Sequence, residues 1–241
     1  MRLTLLRRPG GGPLRIGHRG APGLAPENTL ESFEHALDLG MDGVELDVVC
    51  PDEDRLIVCH DVRGEGPSLE EVLVFFADRG DGAIVQLDVK TPGREAAIVD
   101  ALRRFDLLER TVVSSFHSTT LRAVATLEPE LARSLTFPRD RLQLAARPGL
   151  APAIRTAQAA GRRFLPLRVR GMLAGAAAEA LTLHFTLAGR AVIAACHARG
   201  AAVWAWTVND PAEVARLDAS GADAIITDDP RIFSPRRSGT N

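Results

Sequence analysis

The chain has 241 residues, 46% of them hydrophobic and 25% charged, which is enough to bury a sizeable core and excludes a disordered or disulfide-built protein. A formal net charge of −2 leaves no basic excess to neutralise phosphates, so nucleic acid is excluded as the obvious partner. Three cysteines at no metal-ligand spacing point to a reducing compartment, and no run approaches the roughly 18 apolar residues of a membrane span.

Residues 1–13, with Gly10-Gly11-Gly12, read as a leader; they carry no signal-peptide pattern, and a cytoplasmic location is expected. Leu14–His18 follows as a strand, and Asn28 with Glu31 reads as the capping box of a helix over Thr29–Leu39. Val44–Val49 and Leu56–His60 are strands joined by a polar turn, and Ser68 with Glu71 caps the next helix, which ends near Gly80. Strand Ala83–Val89, helix Arg94–Leu107, strand Thr111–Phe116, helix Thr119–Leu127 and strand Leu131–Phe137 continue the alternation. Between Pro138 and Ala178 the pattern weakens to one helix around Ala151–Ala160. Strand Leu181–Phe185, helix Leu187–Arg199, strand Ala202–Val208, a helix opened by Asp210-Pro211 and strand Ala224–Thr227 close the chain before a polar, frayed tail at 234–241. Strands separated by helices pair in parallel through crossovers, and about eight such units in one domain over 14–233 favour a closed (β/α)8 TIM barrel.

Function in such a barrel sits at the C-terminal ends of the strands. Side chains alternate along a strand, so Glu45 and Asp47 share one face while Val44, Leu46 and Val48 share the other. The apolar face must meet helices, which turns both carboxylates into the barrel. By the same parity Asp88 and Lys90 point together, as do Leu56, Val58 and His60.

Glu45, Asp47 and Asp88 bring −3 into a desolvated space, and Arg19 with Lys90 restores +2. One divalent cation would turn the remaining −1 into +1, enough to hold a singly charged phosphodiester. Three oxygen ligands with open positions suit Mg2+ or Ca2+ better than Zn2+.

His18-Arg19-Gly20, Pro26-Glu27-Asn28-Thr29, Glu45-Leu46-Asp47, His60-Asp61, Asp88-Val89-Lys90, Ser115-Phe116, Trp206-Thr207-Val208-Asn209 and Thr227-Asp228-Asp229-Pro230 together resemble the signature of the glycerophosphodiester phosphodiesterase family. The resemblance implies a TIM barrel and metal-dependent hydrolysis of glycerophosphodiesters to glycerol 3-phosphate and an alcohol. Residue by residue, it implies Glu45, Asp47 and Asp88 as metal ligands and His18 and His60 as the acid–base pair, with Arg19 and Lys90 on the phosphate oxygens. The chemistry needs these roles independently: a base for the attacking hydroxyl, an acid for the leaving alkoxide and a cation on the non-bridging oxygens. Trp206 and Phe116, near strand ends, are expected to line the substrate pocket, and Glu27 is either a first-turn acid or a partner of the site.

The sequence departs from the family pattern at two points. Asp88 stands where the family usually has glutamate, one methylene longer, which implies a metal contact through water. The family's insertion lobe is reduced to Val62–Pro67, leaving the site open or covered by a second copy in a homo-oligomer. Two rivals follow: a phospholipase D-type activity on lysolipids, and a barrel that binds phosphodiesters without turning them over.

Overall fold

The computed structural model describes residues 5–7, 11–52, 55–79, 82–138 and 151–233, without the side chains of 151–160. Strands β1 (Leu14–His18), β2 (Gly43–Val49), β4 (Ile84–Val89), β5 (Thr111–Ser115), β6 (Ala132–Phe137), β7 (Ala180–His184), β8 (Ala202–Trp206) and β9 (Ala224–Thr227) pair in parallel in one sheet. Pairing of β1 with both β9 and β2 closes it into an eight-stranded barrel. The short β3 (Ile57–Val58) adds antiparallel to the far end of β2.

The crossovers are helices α1 (Leu30–Asp38), α2 (Leu69–Arg79), α3 (Glu95–Arg104), α4 (Ser118–Leu127), α5 (Ala151–Ala176), α6 (Arg190–His197) and α7 (Pro211–Ser220). They pack on the outward face of the strands. Val44, Leu46 and Val48 of β2 join Phe33 and Leu37 of α1 and Phe76 of α2 in one fully buried cluster, as alternation requires. The fold is thus a (β/α)8 TIM barrel without an insertion lobe. The connection from β3 to α2 stays tight because Val58 N–H donates to the Pro67 carbonyl at 2.9 Å and the reciprocal Ser68–Glu71 capping box starts α2.

Three expectations need correction. The N-terminal segment is not wholly a leader: Leu6 is fully buried against Leu14, Ile16, Ile84 and Trp204 at the N-terminal floor of the barrel, and Trp204 Nε1 donates to the Leu6 carbonyl at 3.0 Å. Leu3, Leu5 and Leu6 make too short a run to show a periodicity, so only the open floor reveals the place of Leu6. The helix expected around 151–160 runs to Ala176 despite Pro166 inside it. Thr29, not Asn28, caps α1, accepting from Ser32 N at 3.2 Å. The proposed frayed tail at 234–241 lies outside the described residues.

Candidate active site

At the C-terminal mouth of the barrel, β1 ends in a turn that puts Arg19 at φ 53° and Gly20 at φ 90°. A side chain at Gly20 would strike Ser32, whose hydroxyl accepts from Ala21 N at 2.7 Å and donates to the Arg19 carbonyl at 3.0 Å. This turn aims His18 and Arg19 over the barrel. Across the β1–β2 register His18 faces Glu45, with Nε2 at 3.9 Å from Oε2, and Arg19 N donates to the same oxygen at 3.1 Å.

Glu45, Asp47 and Asp88 are buried, and each offers a carboxylate oxygen within 4.8 Å of the others. Asp47 is the hub. Its Oδ2 meets Arg19 Nε at 2.9 Å, His60 Nδ1 at 3.0 Å and Asn28 Nδ2 at 3.3 Å, and its Oδ1 meets Lys90 Nζ at 2.7 Å. Lys90 also pairs with Asp88 Oδ2, while Ser114 and Thr136 donate to Asp88 Oδ1 at 2.7 and 3.0 Å. Behind His18, Asp228 Oδ1 lies 2.6 Å from Nδ1. Asn209 holds Asp228 on two sides, donating to Oδ2 at 2.6 Å and accepting from the backbone N–H at 3.0 Å.

The electrostatics divide the carboxylates. Burial and the adjacent charge of Asp47 push Glu45 up to about 7. Burial also works against an ionised Asp47, but Lys90, the His60 hydrogen bond and Arg19 outweigh it and hold the group well below the usual carboxylate range. Burial opposes the Lys90 charge, yet Asp88, Asp47 and Glu45 raise its pKa above the ordinary value. For His18, the Asp228 hydrogen bond and the charge of Glu45 overcome burial and raise the imidazole pKa. A buried oxygen-only cluster whose glutamate resists ionisation is short of positive charge, and this donor set fits a divalent cation.

A cavity of about 140 Å3 opens here, lined by His18, Arg19, Glu45, His60, Asp88, Lys90, Phe116 and Trp206, with Gln86, Thr136, Thr182 and Ile226 deeper in. Phe116 and Trp206 meet edge-on at 6.0 Å, and Lys90 Nζ lies 5.5 Å over the Phe116 ring. Glu27 stands outside the cavity and accepts from Arg19 at 2.8 Å. His184 meets Trp206 edge-on at 5.6 Å with Nδ1 on Thr186 Oγ1 at 2.7 Å; burial lowers its pKa.

His60 reaches the site by a different route from the one alternation predicts. Val58 faces the helices, fully buried, and β3 stops there, so the bend after it turns His60 back toward Asp47. The sequence assigns Asn28, Asp228 and Asn209 no role in the site. Asn28 looked like a helix cap, but its φ of 58° brings the amide under β2, where Oδ1 accepts from Asp47 N at 3.2 Å. Asp228 and Asn209 lie within quoted motifs at strand ends, which was the available signal.

A barrel carrying a carboxylate cluster, two histidines and two cations at its C-terminal mouth defines a phosphoric diester hydrolase. The profile of the Glycerophosphoryl diester phosphodiesterase family matches residues 18–91 and 81–232, and the chain belongs to that family. Among similar proteins, the glycerophosphodiester phosphodiesterase of Caldanaerobacter subterraneus is 28% identical over 262 residues, covering 91% of this chain and 96% of its own. The fold is similar to an Oleispira antarctica phosphodiesterase solved with the product sn-glycerol-3-phosphate (TM-score 0.69, 24% identity, 91% of this chain and 94% of that one). It is also similar to a glycerophosphodiester phosphodiesterase from Parabacteroides distasonis (TM-score 0.70, 21% identity, 92% and 95%). No helix among the described residues is long and apolar enough to cross a membrane.

Proposed function

We propose that this hydrolase cleaves glycerophosphodiesters to glycerol 3-phosphate and an alcohol, with one Mg2+ or Ca2+ held by Glu45, Asp47 and Asp88. The observation that carries the reading is the buried triad of carboxylates beside two imidazoles and two fixed cations. When bound, the cation would draw charge from a non-bridging phosphate oxygen and raise the electrophilicity of phosphorus.

The chain's own residues divide the remaining work. Arg19 and Lys90 lie where they can meet the other non-bridging oxygen once the cation takes over the carboxylates they now neutralise. His18 and His60 each have Nδ1 engaged by a carboxylate, so Nε2 is the nitrogen each presents. One Nε2 takes the proton of the attacking water as the new P–O bond forms. The other gives a proton to the oxygen that leaves as the P–O bond to the alcohol breaks. The carboxylate behind each ring holds its orientation, and at His18 the Asp228 hydrogen bond and the charge of Glu45 favour the charged form.

A turnover panel of glycerophosphodiesters and lysolipids, run with and without EDTA, tests this reading. Glycerol 3-phosphate release should stop with EDTA and return with Mg2+ or Ca2+. Full turnover by metal-free protein would overturn the metal assignment, and preference for lysolipids would favour the phospholipase D-type rival.

A further inference from the structure

Below the carboxylates, Gln86 is 1% exposed and points into the barrel with Asp88 on β4, paired with Glu45 across the β2–β4 register. The neighbouring hydroxyls decide which way its amide faces. Ser114 gives its single proton to Asp88 Oδ1 at 2.7 Å, so toward Gln86 it can only accept. Gln86 Nε2 therefore occupies that side, 2.9 Å from Ser114 Oγ and 3.4 Å from Thr182 Oγ1. Gln86 Oε1 is turned the other way, buried and without a hydrogen-bond partner among the described residues. An orphaned buried carbonyl bears its whole desolvation cost, and native structures seldom keep one without use.

Asp88 supplies the complementary fact. Its Oδ1 already accepts two hydroxyl protons, so only Oδ2, which Lys90 now holds, is left for it to turn toward a cation. The cation site thus has one carboxylate with a single oxygen to offer and one unused acceptor in the layer beneath it. Gln86 also lines the cavity that Glu45 and Asp88 line.

We propose that Gln86 belongs to the cation site, its Oε1 accepting a hydrogen from a water molecule bound to the metal. Mg2+ in particular keeps several of its waters, and acceptors for those waters tune affinity. Gln86 is then a positioning residue: it acts through a water on the ion and touches no reacting atom. The inference rests on the metal-dependent reading above.

The test titrates Mg2+ and Ca2+ into the EDTA-stripped full chain by calorimetry, for the wild type, Gln86→Met and Gln86→Glu, and records each cation-free melting temperature. Gln86→Met should bind the cation about 10–100-fold more weakly, while its cation-free melting temperature changes little, since the unpaired acceptor and the Nε2 donor to Ser114 go together. Gln86→Glu keeps an acceptor oxygen at the same reach and should bind at least as tightly as the wild type. If the Met variant does not accumulate, Gln86→Leu replaces it with the same expected outcome. Wild-type affinity in the apolar variant would overturn the inference and leave Oε1 as a tolerated orphan or the seat of a trapped water. Equal weakening in the apolar and Glu variants would overturn it too, assigning the effect to packing. A wild type that binds neither cation would overturn the metal reading itself, and this inference with it.

Discussion

His18 and His60 stand at equal chemical rank but in unequal surroundings, His18 enclosed with Asp228 and Asn209 behind it, His60 half-open over Asp47. His18→Ala and His60→Ala should each lower kcat by about 10²–10⁴-fold, the usual worth of a general acid or base. The double variant should be little worse than either single one, because the two act as a unit. Steady-state kinetics on a glycerophosphodiester check this, and near-normal turnover by either single variant would break the pairing. Lys90 makes a sharper case, being the one lysine among 29 basic residues. Its ammonium sits between Asp47 and Asp88 over the Phe116 ring, a space for a compact point charge. A planar guanidinium is broader and seeks a bidentate partner. Lys90→Arg should therefore lose at least about 10²-fold in kcat/KM, about 2.7 kcal/mol of transition-state stabilisation; wild-type kinetics would make the lone lysine an accident of composition.

At the scale of elements, most of the barrel was legible because its strands alternate cleanly. In β2 the outward Val44, Leu46 and Val48 oblige Glu45 and Asp47 to face inward, and Asp88 on β4 follows the same parity. Legibility stopped where a residue leaves its element. His60 lies past the end of β3, where period-two reasoning no longer holds. Asn28 has the chemistry of a helix cap and spends it on Asp47 instead. Helix α5 was cut short because its Ala, Arg, Pro and Gly content, with Pro166 inside, mimics a loop. Leu6 was invisible because burial at the floor depends on eight strands assembled from the whole chain. Leu6→Ala should destabilise the fold by about 2–5 kcal/mol in urea titration while leaving kcat/KM unchanged, since the floor lies opposite the mouth. Unchanged stability would show that the segment only rests on the barrel.

For the whole molecule, the buried charges tie stability to pH. Glu45 has a folded pKa of about 7, raised from its ordinary 4.5, so its contribution is fully present below about 4.5 and is lost as pH rises through 7. The raised pKa of His18 acts in the same direction from 6.5 upward. Asp47, held low, contributes fully above its ordinary 3.8 and loses that contribution only in stronger acid, so it does not change between pH 5 and pH 8. Cation-free protein should thus melt at progressively lower temperature from pH 5 to pH 8, and the gain on adding Mg2+ or Ca2+ should grow over that range. Thermal melts in EDTA and in excess cation measure both trends; a pH-independent cation gain would contradict them. The filled floor carries a kinetic consequence as well. Leu6 and Trp204 fill the N-terminal end and, among the described residues, close it to passage. On the proposed reading, substrate enters and both products leave by the mouth where Arg19 and Lys90 stand, so the phosphorylated product must be released from those cations before the next turnover begins. Its accumulation should throttle the enzyme competitively, making the rate in a closed vessel decline faster than substrate depletion alone dictates.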